Sequence, residues 1–196
     1  PKVISVICDK VGPEVLINIP VQDARTGSLP TISGTVVDSG IGTGEVQVRI
    51  KNLDLNKYWE NGLSYEATSY NIVIASSAWY NAKNGGGWSY WYTTHTWLTD
   101  TQFMIESRAR DILGNYSVNY ATVNFTFDTT KPVSVVTFPA NGSFLNTISN
   151  QIVGTTSDTG LHPGAVNQVK IAVQRKRDGN WWNWATSSFT SAGFSD

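Results

Sequence analysis

The sequence predicts an all-β protein in which antiparallel β-sandwich modules follow one another along the chain. Three observations support this fold class: apolar and polar residues alternate in several short segments, turn residues separate those segments, and parts of the sequence occur twice. Charged residues make up only 15% of the 196 residues, against about a quarter in an average soluble domain. Serine, threonine, asparagine and glycine take their place, which suits sheet surfaces and tight turns better than helices.

The alternation locates most strands of the first 128 residues. We predict strands at residues 14–19, 31–37, 44–50, 88–92, 102–110 and 116–127. In the third of these, Val46 and Val48 face inward and Arg49 faces outward. In the fifth, Ile105 faces inward and Glu106 faces water.

Turn residues separate these strands. Asp38–Gly40, Asn84–Gly87 and Leu113–Asn115 combine glycine with asparagine, aspartate or serine, which favour tight turns. Strands of this length, about seven in a module of roughly 119 residues, are typical of immunoglobulin-like sandwiches with Greek-key connections. The predicted fold is therefore a tandem series of immunoglobulin-like antiparallel β-sandwiches.

The same motifs recur along the chain at a nearly constant spacing. The matched segments are Asp9–Pro20 with Asp128–Pro139 at 119 residues, Gly34–Gly40 with Gly154–Gly160 at 120, and Tyr58–Trp59 with Trp181–Trp182 at 123. A spacing that drifts so little indicates one module used in series, with small loop insertions. Modules in series serve more often as spacers, stalks or arrays than as catalysts.

The repeat defines the predicted domain boundaries. Residues 9–128 form one complete module, and residues 129–196 form a second module that lacks its last strands. Residues 3–9 align with residues 122–128, so we interpret residues 1–8 as the last strand of a preceding module. An incomplete sandwich exposes an apolar face and open strand edges. Either further residues of the same protein complete it, or another copy donates the strand and builds a filament.

Four short motifs resemble those of a known family. They are the RA-x-D-x-x-GN turn in Ser107–Asn115, the junction Phe127–Pro132, the ISGT and DSG segments within Ile32–Gly40, and the aromatic segment Trp181–Trp184. Together they resemble bacterial immunoglobulin-like tandem repeats, and the resemblance covers nearly the whole chain. The junction at Cys8–Pro13 is a loose version of the pattern, and the insertion between Glu60 and Trp97 departs from it.

The resemblance implies where the protein is located and what kind of role it has, rather than which ligand it binds. Such repeats occur in very large secreted or surface-anchored bacterial proteins, often adhesins or sheath components. It therefore implies a non-catalytic structural or adhesive role outside the cell or at its surface. The implied partners are neighbouring repeats of the same chain or other copies of it.

Aromatic residues are concentrated around the glycine-rich turn of the insertion. Trp79, Trp88, Trp91 and Trp97 stand within 19 residues, together with three tyrosines. Aromatic platforms stack on the C–H faces of sugar rings, so one hypothesis is a carbohydrate-binding module in which these four tryptophans bind a surface glycan. The alternative is that the rings pack in the core or between modules.

Charge and cysteine content exclude several classes of partner. The net charge is −1, so nothing attracts nucleic acid or an anionic membrane electrostatically. No apolar run approaches the length of about 18 residues that a membrane span needs. The single cysteine, Cys8, rules out an internal disulfide, and we expect it to be buried and inert on a strand.

The sequence gives little support for catalysis or for a cofactor. His95 and His162 have no metal-ligand partner nearby in the sequence, and there is no nucleophile motif or phosphate-binding loop. We therefore expect no enzyme activity and no cofactor. Calcium at a module junction is the one alternative, and its candidate ligands are Asp9, Asp38, Asp111 and Asp128. Calcium needs six to eight oxygens, and no dense acidic loop occurs here.

Overall fold

The structure, a computed structural model, describes residues 2–6, 8–60, 69–147 and 151–191. The described part is all-β, with one turn of 3₁₀ helix at Ala75–Ala78. The chain divides into two units: unit 1 comprises Pro1–Lys131 and Thr159–Gly164, and unit 2 comprises Pro132–Asp158 and Ala165–Asp196. Among the described residues, no helix has the length and hydropathy needed to cross a lipid bilayer.

Unit 1 consists of eleven described strands in two sheets. They are β1 (Glu14–Ile19), β2 (Ala24–Thr26), β3 (Ile32–Val37), β4 (Thr43–Asn52), β5 (Lys57–Trp59), β6 (Tyr70–Ile72), β7 (Tyr80–Asn81), β8 (Lys83–Asn84), β9 (Tyr90–Thr93), β10 (Thr101–Asp111) and β11 (Ala121–Phe127). The smaller sheet has the order β1-β3-β9-β8. The larger has the order β2-β11-β10-β4-β5-β6, with β7 also paired to β4. The described pairings are antiparallel except that of β2 with β11, which is parallel.

The centre of the larger sheet is the pairing of β4 with β10. In this register Val48 lies opposite Ser107 and Ile50 lies opposite Ile105, and all four residues are 0% exposed. Because side chains alternate along a strand, the residues between them face away from the core. The predicted inner faces of both strands are therefore confirmed.

The core of unit 1 lies between the two sheets. Its largest fully buried side chains include Ile32 and Trp91 from the smaller sheet and Phe103 from the larger one. Phe125 on β11 packs 5.6 Å from Phe103, ring centroid to ring centroid. Burying a side chain of this size stabilises the fold by about 1.5–3 kcal/mol, so this layer contributes substantially to the stability of unit 1.

Unit 2 has two small described sheets. Its strands are β12 (Val133–Phe138), β13 (Val153–Ser157), β14 (Gln174–Arg175), β15 (Asn180–Asn183) and β16 (Ser188–Thr190). β12 pairs with β13, and β15 lies between β14 and β16. Several apolar side chains remain accessible, among them Val135 at 56% and Val136 at 58% exposure.

The strand registers of unit 2 correspond to registers in unit 1. Val133 pairs with Ser157 and Val135 with Thr155, as Glu14 pairs with Val37 and Leu16 with Thr35. The first strands are offset by 119 residues and the second strands by 120, the spacings found in the sequence. The pairing of β14 with β15 likewise corresponds to that of β4 with β5, at an offset of 123.

Some predicted strand boundaries and one predicted exposure are wrong. Glu106 lies on the predicted outer face but is buried at 8% exposure rather than facing water, because it pairs with Arg49, which aromatic side chains cover. Residues 116–120 precede β11 instead of extending it. Trp88 lies outside β9 because its φ is +66°, which no strand residue adopts.

The N-terminal segment differs from its predicted form. Cys8 is exposed and lies on no strand, so the expectation of a buried cysteine is wrong. Residues 2–6 are likewise exposed and unpaired. A strand is defined by its pairing with a neighbour, and this segment has no such neighbour among the described residues. Its assignment to a preceding module stays a prediction.

Gly34 gives a direct test of packing between the sheets. A Cβ at this position would collide with the backbone oxygen of Leu16 and with the indole ring of Trp91. We expect Gly34→Ala to lower the free energy of unfolding by about 1–3 kcal/mol, measured by urea denaturation followed by tryptophan fluorescence. Thr94→Ala, at an exposed loop position, is the control and should leave the midpoint unchanged. An unchanged midpoint for Gly34→Ala would contradict this description of the core.

Candidate functional site

The four tryptophans of the insertion do not form one exposed platform. Trp91 is 0% exposed, and its indole N–H donates to the Thr35 carbonyl at 3.3 Å. A fully enclosed ring cannot stack on a sugar, so the predicted platform of Trp79, Trp88, Trp91 and Trp97 is wrong for Trp91. The cause is the alternation of β9, which directs Trp91 into the core.

Trp97 also belongs to the core layer. Its ring meets those of Phe103 and Phe125 edge to face, each at 4.9 Å between centroids, and its indole N–H donates to the Leu29 carbonyl at 2.8 Å. An indole with its N–H satisfied inside the module contributes packing rather than ligand contact.

Trp88 lies at the end of the glycine-rich turn. Its backbone N–H donates to Asn84 Oδ1 at 3.1 Å, and its side chain is partly buried against the core. Beside it on β9, the rings of Tyr90 and Tyr92 stack at 5.9 Å, and Tyr90 is 43% exposed. The exposed aromatic surface here is therefore tyrosine rather than tryptophan.

His95 lies in an aromatic enclosure next to Trp97. Its Nε2 is 2.6 Å from the hydroxyl of Tyr70, and its ring contacts those of Trp59 and Trp97, each at 4.5 Å. Its Nδ1 is buried without a hydrogen-bond partner in the described part of the chain. Burial lowers the pKa of His95 to about 4, because an imidazolium would lose its hydration there.

Trp79 lies on the outer face of the larger sheet, between two arginines in a series of contacts. The guanidinium carbons of Arg49 and Arg108 are each 4.4 Å from its ring centroid. Arg49 also lies 5.1 Å from the ring of Tyr58, and Arg108 lies 4.6 Å from the ring of Tyr116. We call these five side chains the cation–π ladder. Each such contact stabilises by roughly 0.5–2 kcal/mol.

A buried ion pair fixes one part of the ladder. Arg49 makes a bidentate pair with Glu106, at 2.6 Å from Nε and 2.9 Å from Nη2, and its Nη1 donates to the Ala75 carbonyl at 3.0 Å. Burial alone would lower the pKa of Arg49, but the hydrogen bonds and charge of Glu106 raise it. The arginine therefore stays charged, with all of its side-chain nitrogens engaged.

Sequence reasoning did not find this ladder. Its members come from β4, β5, β10 and the loops that contain Trp79 and Tyr116, and no local spacing links them. The available signal was the placement of Arg49 and Arg108 on the outer faces of two strands rich in neighbouring aromatics. Only the strand order shows that these strands are adjacent.

Three of the four candidate calcium ligands come together. Carboxylate oxygens of Asp9, Asp38 and Asp111 all lie within 4.8 Å of one another. Asp128 is not in this group, and its Oδ1 accepts the backbone N–H of Thr130 at 2.8 Å. The three carboxylates are the described residues that could hold a cation.

Backbone and side-chain amides already compensate these carboxylates. Asp38 accepts the N–H of Gly40 at 2.8 Å, and Asp9 accepts the N–H of Ile41 at 3.0 Å. Asp111 accepts two bonds from Asn115, from its backbone N–H at 2.7 Å and its side-chain amide at 2.6 Å. Burial would raise the pKa of Asp111, but these hydrogen bonds lower it. The cluster is thus held together by the turns that carry it.

His162 also has structural partners. Its Nε2 lies 2.8 Å from Asp54 Oδ1, its backbone N–H donates to Asp100 at 2.6 Å, and its carbonyl accepts from Arg25 at 3.0 Å. In the described part of the chain, neither histidine joins a group of three or more metal-ligating side chains.

Comparison with known proteins gives no family assignment. No family model matches the sequence, and no curated protein matches it. Among solved structures, CopC from Methylosinus trichosporium OB3b matches with 12% identity and a TM-score of 0.38, over 59% of this chain and 94% of that one. A similarity this distant assigns neither a ligand nor an activity to this chain.

The buried His95 makes the stability of unit 1 depend on pH. Its pKa is about 4 in the folded state and about 6.5 in the unfolded state, so between these values the unfolded chain binds the proton more readily. Stability is therefore greatest above pH 6.5 and falls as the pH drops toward 4, by about 3 kcal/mol from this residue.

Urea denaturation of the wild type and of His95→Gln across this pH range tests the effect. Glutamine can still accept from the Tyr70 hydroxyl, but it does not titrate. The variant should show a flatter dependence on pH. Parallel curves for the two proteins would show that His95 is not held neutral by the fold.

Proposed function

We propose that this chain is a non-catalytic structural repeat of an extracellular or cell-surface protein of the bacterial immunoglobulin-like type. The observation that carries the proposal is the correspondence of strand registers between units 1 and 2. The pairing of β1 with β3 matches that of β12 with β13 at offsets of 119 and 120 residues, which supports one module used in series. A series of such modules transmits tension along the chain, and the number of modules sets the distance between its ends.

The strand order of unit 1 supports the immunoglobulin-like assignment. The smaller sheet, β1-β3-β9-β8, corresponds to strands A-B-E-D of an immunoglobulin domain. In the larger sheet, β11-β10-β4 corresponds to G-F-C, and β5 and β6 extend it as C′ and C″ do in variable-type domains. On this proposal the strands follow the Greek-key connections of such domains.

The residues that follow β11 are tied into unit 1. The backbone N–H of Asp128 donates to the Thr26 carbonyl at 3.0 Å, and the N–H of Thr129 donates to Thr99 Oγ1 at 2.8 Å. Pro132 then fixes φ at the start of unit 2. The end of β11 and the two residues after it are therefore held on unit 1.

A carbohydrate-binding role is the second candidate. The predicted tryptophan platform is not formed, but half-exposed tyrosines remain on the surface of unit 1: Tyr90 at 43%, Tyr116 at 43% and Tyr120 at 46%. Tyrosine combines an apolar ring with a polar tip, and such residues are common at binding surfaces. An adhesive repeat would combine both roles.

The native protein tests the structural proposal. An antibody raised against residues 9–128 should detect, on intact cells or in the secreted fraction, a chain well above the 21.5 kDa of these residues. Electron micrographs of that protein should show extended strings of modules. A compact protein found only in the cytoplasm would overturn the proposal.

A further inference from the structure

The two arginines of the cation–π ladder differ in how their donors are used. Arg49 has its side-chain nitrogens bonded to Glu106 and to the Ala75 carbonyl. Arg108 is half-buried, and only its Nε donates, to Gln47 Oε1 at 2.8 Å. Within the described residues its two Nη groups, which carry four N–H donors, have no acceptor.

The carboxylates nearest Arg108 already pair with other cations. Glu106, two residues before it on β10, pairs with Arg49. Glu45 pairs with Arg110, two residues after it, at 3.1 Å. Among the described residues Arg108 has no acidic partner within 4 Å. Within the part of the chain that the structure describes, the outer face of β10 therefore carries one positive charge without an acidic partner.

Aromatic rings hold this charge in place at the surface. The guanidinium lies 4.4 Å from the Trp79 ring centroid and 4.6 Å from that of Tyr116. Tyr120 packs edge to face on Trp79 at 5.1 Å. Stacking restricts the arginine side chain before any ligand arrives, so binding loses less conformational entropy.

We propose that Arg108, with Tyr116 against it and Tyr120 one ring further along, against Trp79, binds the carboxylate of an acidic sugar in a uronate-bearing polysaccharide. The Nη edge of a guanidinium matches a carboxylate in a two-point, charge-assisted contact. The half-exposed tyrosine rings supply apolar surface for the C–H face of the same sugar. A neutral sugar could place its C–H face on the tyrosine rings, but it has no carboxylate to accept hydrogen bonds from the Arg108 guanidinium.

The extent of the exposed surface favours a sugar over a protein partner. Stable protein interfaces bury about 800 Å² on each side, whereas here the open donors and rings belong to three neighbouring side chains. The flanking charges of Glu45 and Arg110 cancel each other. This inference extends the proposed adhesive role by naming a ligand class, and it rests on an extracellular location.

Calorimetric titration of the 196-residue protein with an oligogalacturonate tests the proposal. We expect saturable binding that weakens with salt, and little binding of the fully methyl-esterified oligosaccharide, which has no charge. Arg108→Gln should weaken binding about tenfold or more, as expected for loss of a charge-assisted pair. Lys83→Gln is the matched control, because it removes one positive charge from an exposed position on β8, in the other sheet, and its affinity should change less than twofold.

Circular dichroism and thermal denaturation show whether Arg108→Gln still folds. If it does not, Arg108→Lys keeps the charge but loses the planar two-point contact, and its affinity should be lower than that of the wild type but still measurable. Equal binding by wild type and variants, or no binding of oligogalacturonate, would overturn the proposal. Poly-glutamate bound more tightly than oligogalacturonate and through Arg108 would overturn the assignment to a glycan. None of these outcomes alters the mass or location of the native protein, on which the structural proposal depends.

Discussion

The antiparallel pairing of β4 with β10 is the constraint on which the rest of unit 1 depends. It places Val48 opposite Ser107 and Ile50 opposite Ile105 on the inner face, where all four are fully buried. The same register places Arg49 opposite Glu106 on the outer face. Because side chains alternate strictly, a slip of one residue would move the apolar set into water and the ion pair into the core. Core and outer face therefore stabilise the same register.

The outer face of the β4–β10 pair is unusual because its charged side chains are covered by aromatic rings. Removing one partner of a buried ion pair leaves an uncompensated charge and commonly costs about 3–5 kcal/mol, so the Arg49–Glu106 pair strongly disfavours other registers. The aromatic side chains that cover it also reach Arg108, whose Nη donors have no acceptor among the described residues. The same cluster thus stabilises the sheet around Arg49 and offers a charged, pre-positioned group at Arg108. On this account, packing and recognition use one set of side chains.

The alternation of residue types predicted the central strands because their apolar residues face a core that excludes water. It failed for Glu106 because it treats a polar outer residue as hydrated, whereas the ion pair with Arg49 and the aromatic rings around that pair exclude water. It also failed for Trp88, where the turn at Asn84 requires a positive φ. The carboxylate cluster was predictable in part: Asp9, Asp38 and Asp111 all stand in turn motifs, and the fold brings them together. The cation–π ladder was not predictable, since it depends on which strands are neighbours.

Cross-strand disulfide formation measures the β4–β10 register most directly. In a Cys8→Ser background, cysteines at Lys51 and Met104 face each other directly, within the Cα separation of about 4.4–6.8 Å that a disulfide spans. Cysteines at Lys51 and Gln102 are diagonal neighbours, roughly 7–8 Å apart. The account predicts rapid oxidation of the first pair, seen as a non-reducing gel shift and a loss of two free thiols, and little oxidation of the second. Preferential oxidation of the 51–102 pair would contradict the register, and with it the placement of both the core and the cation–π ladder.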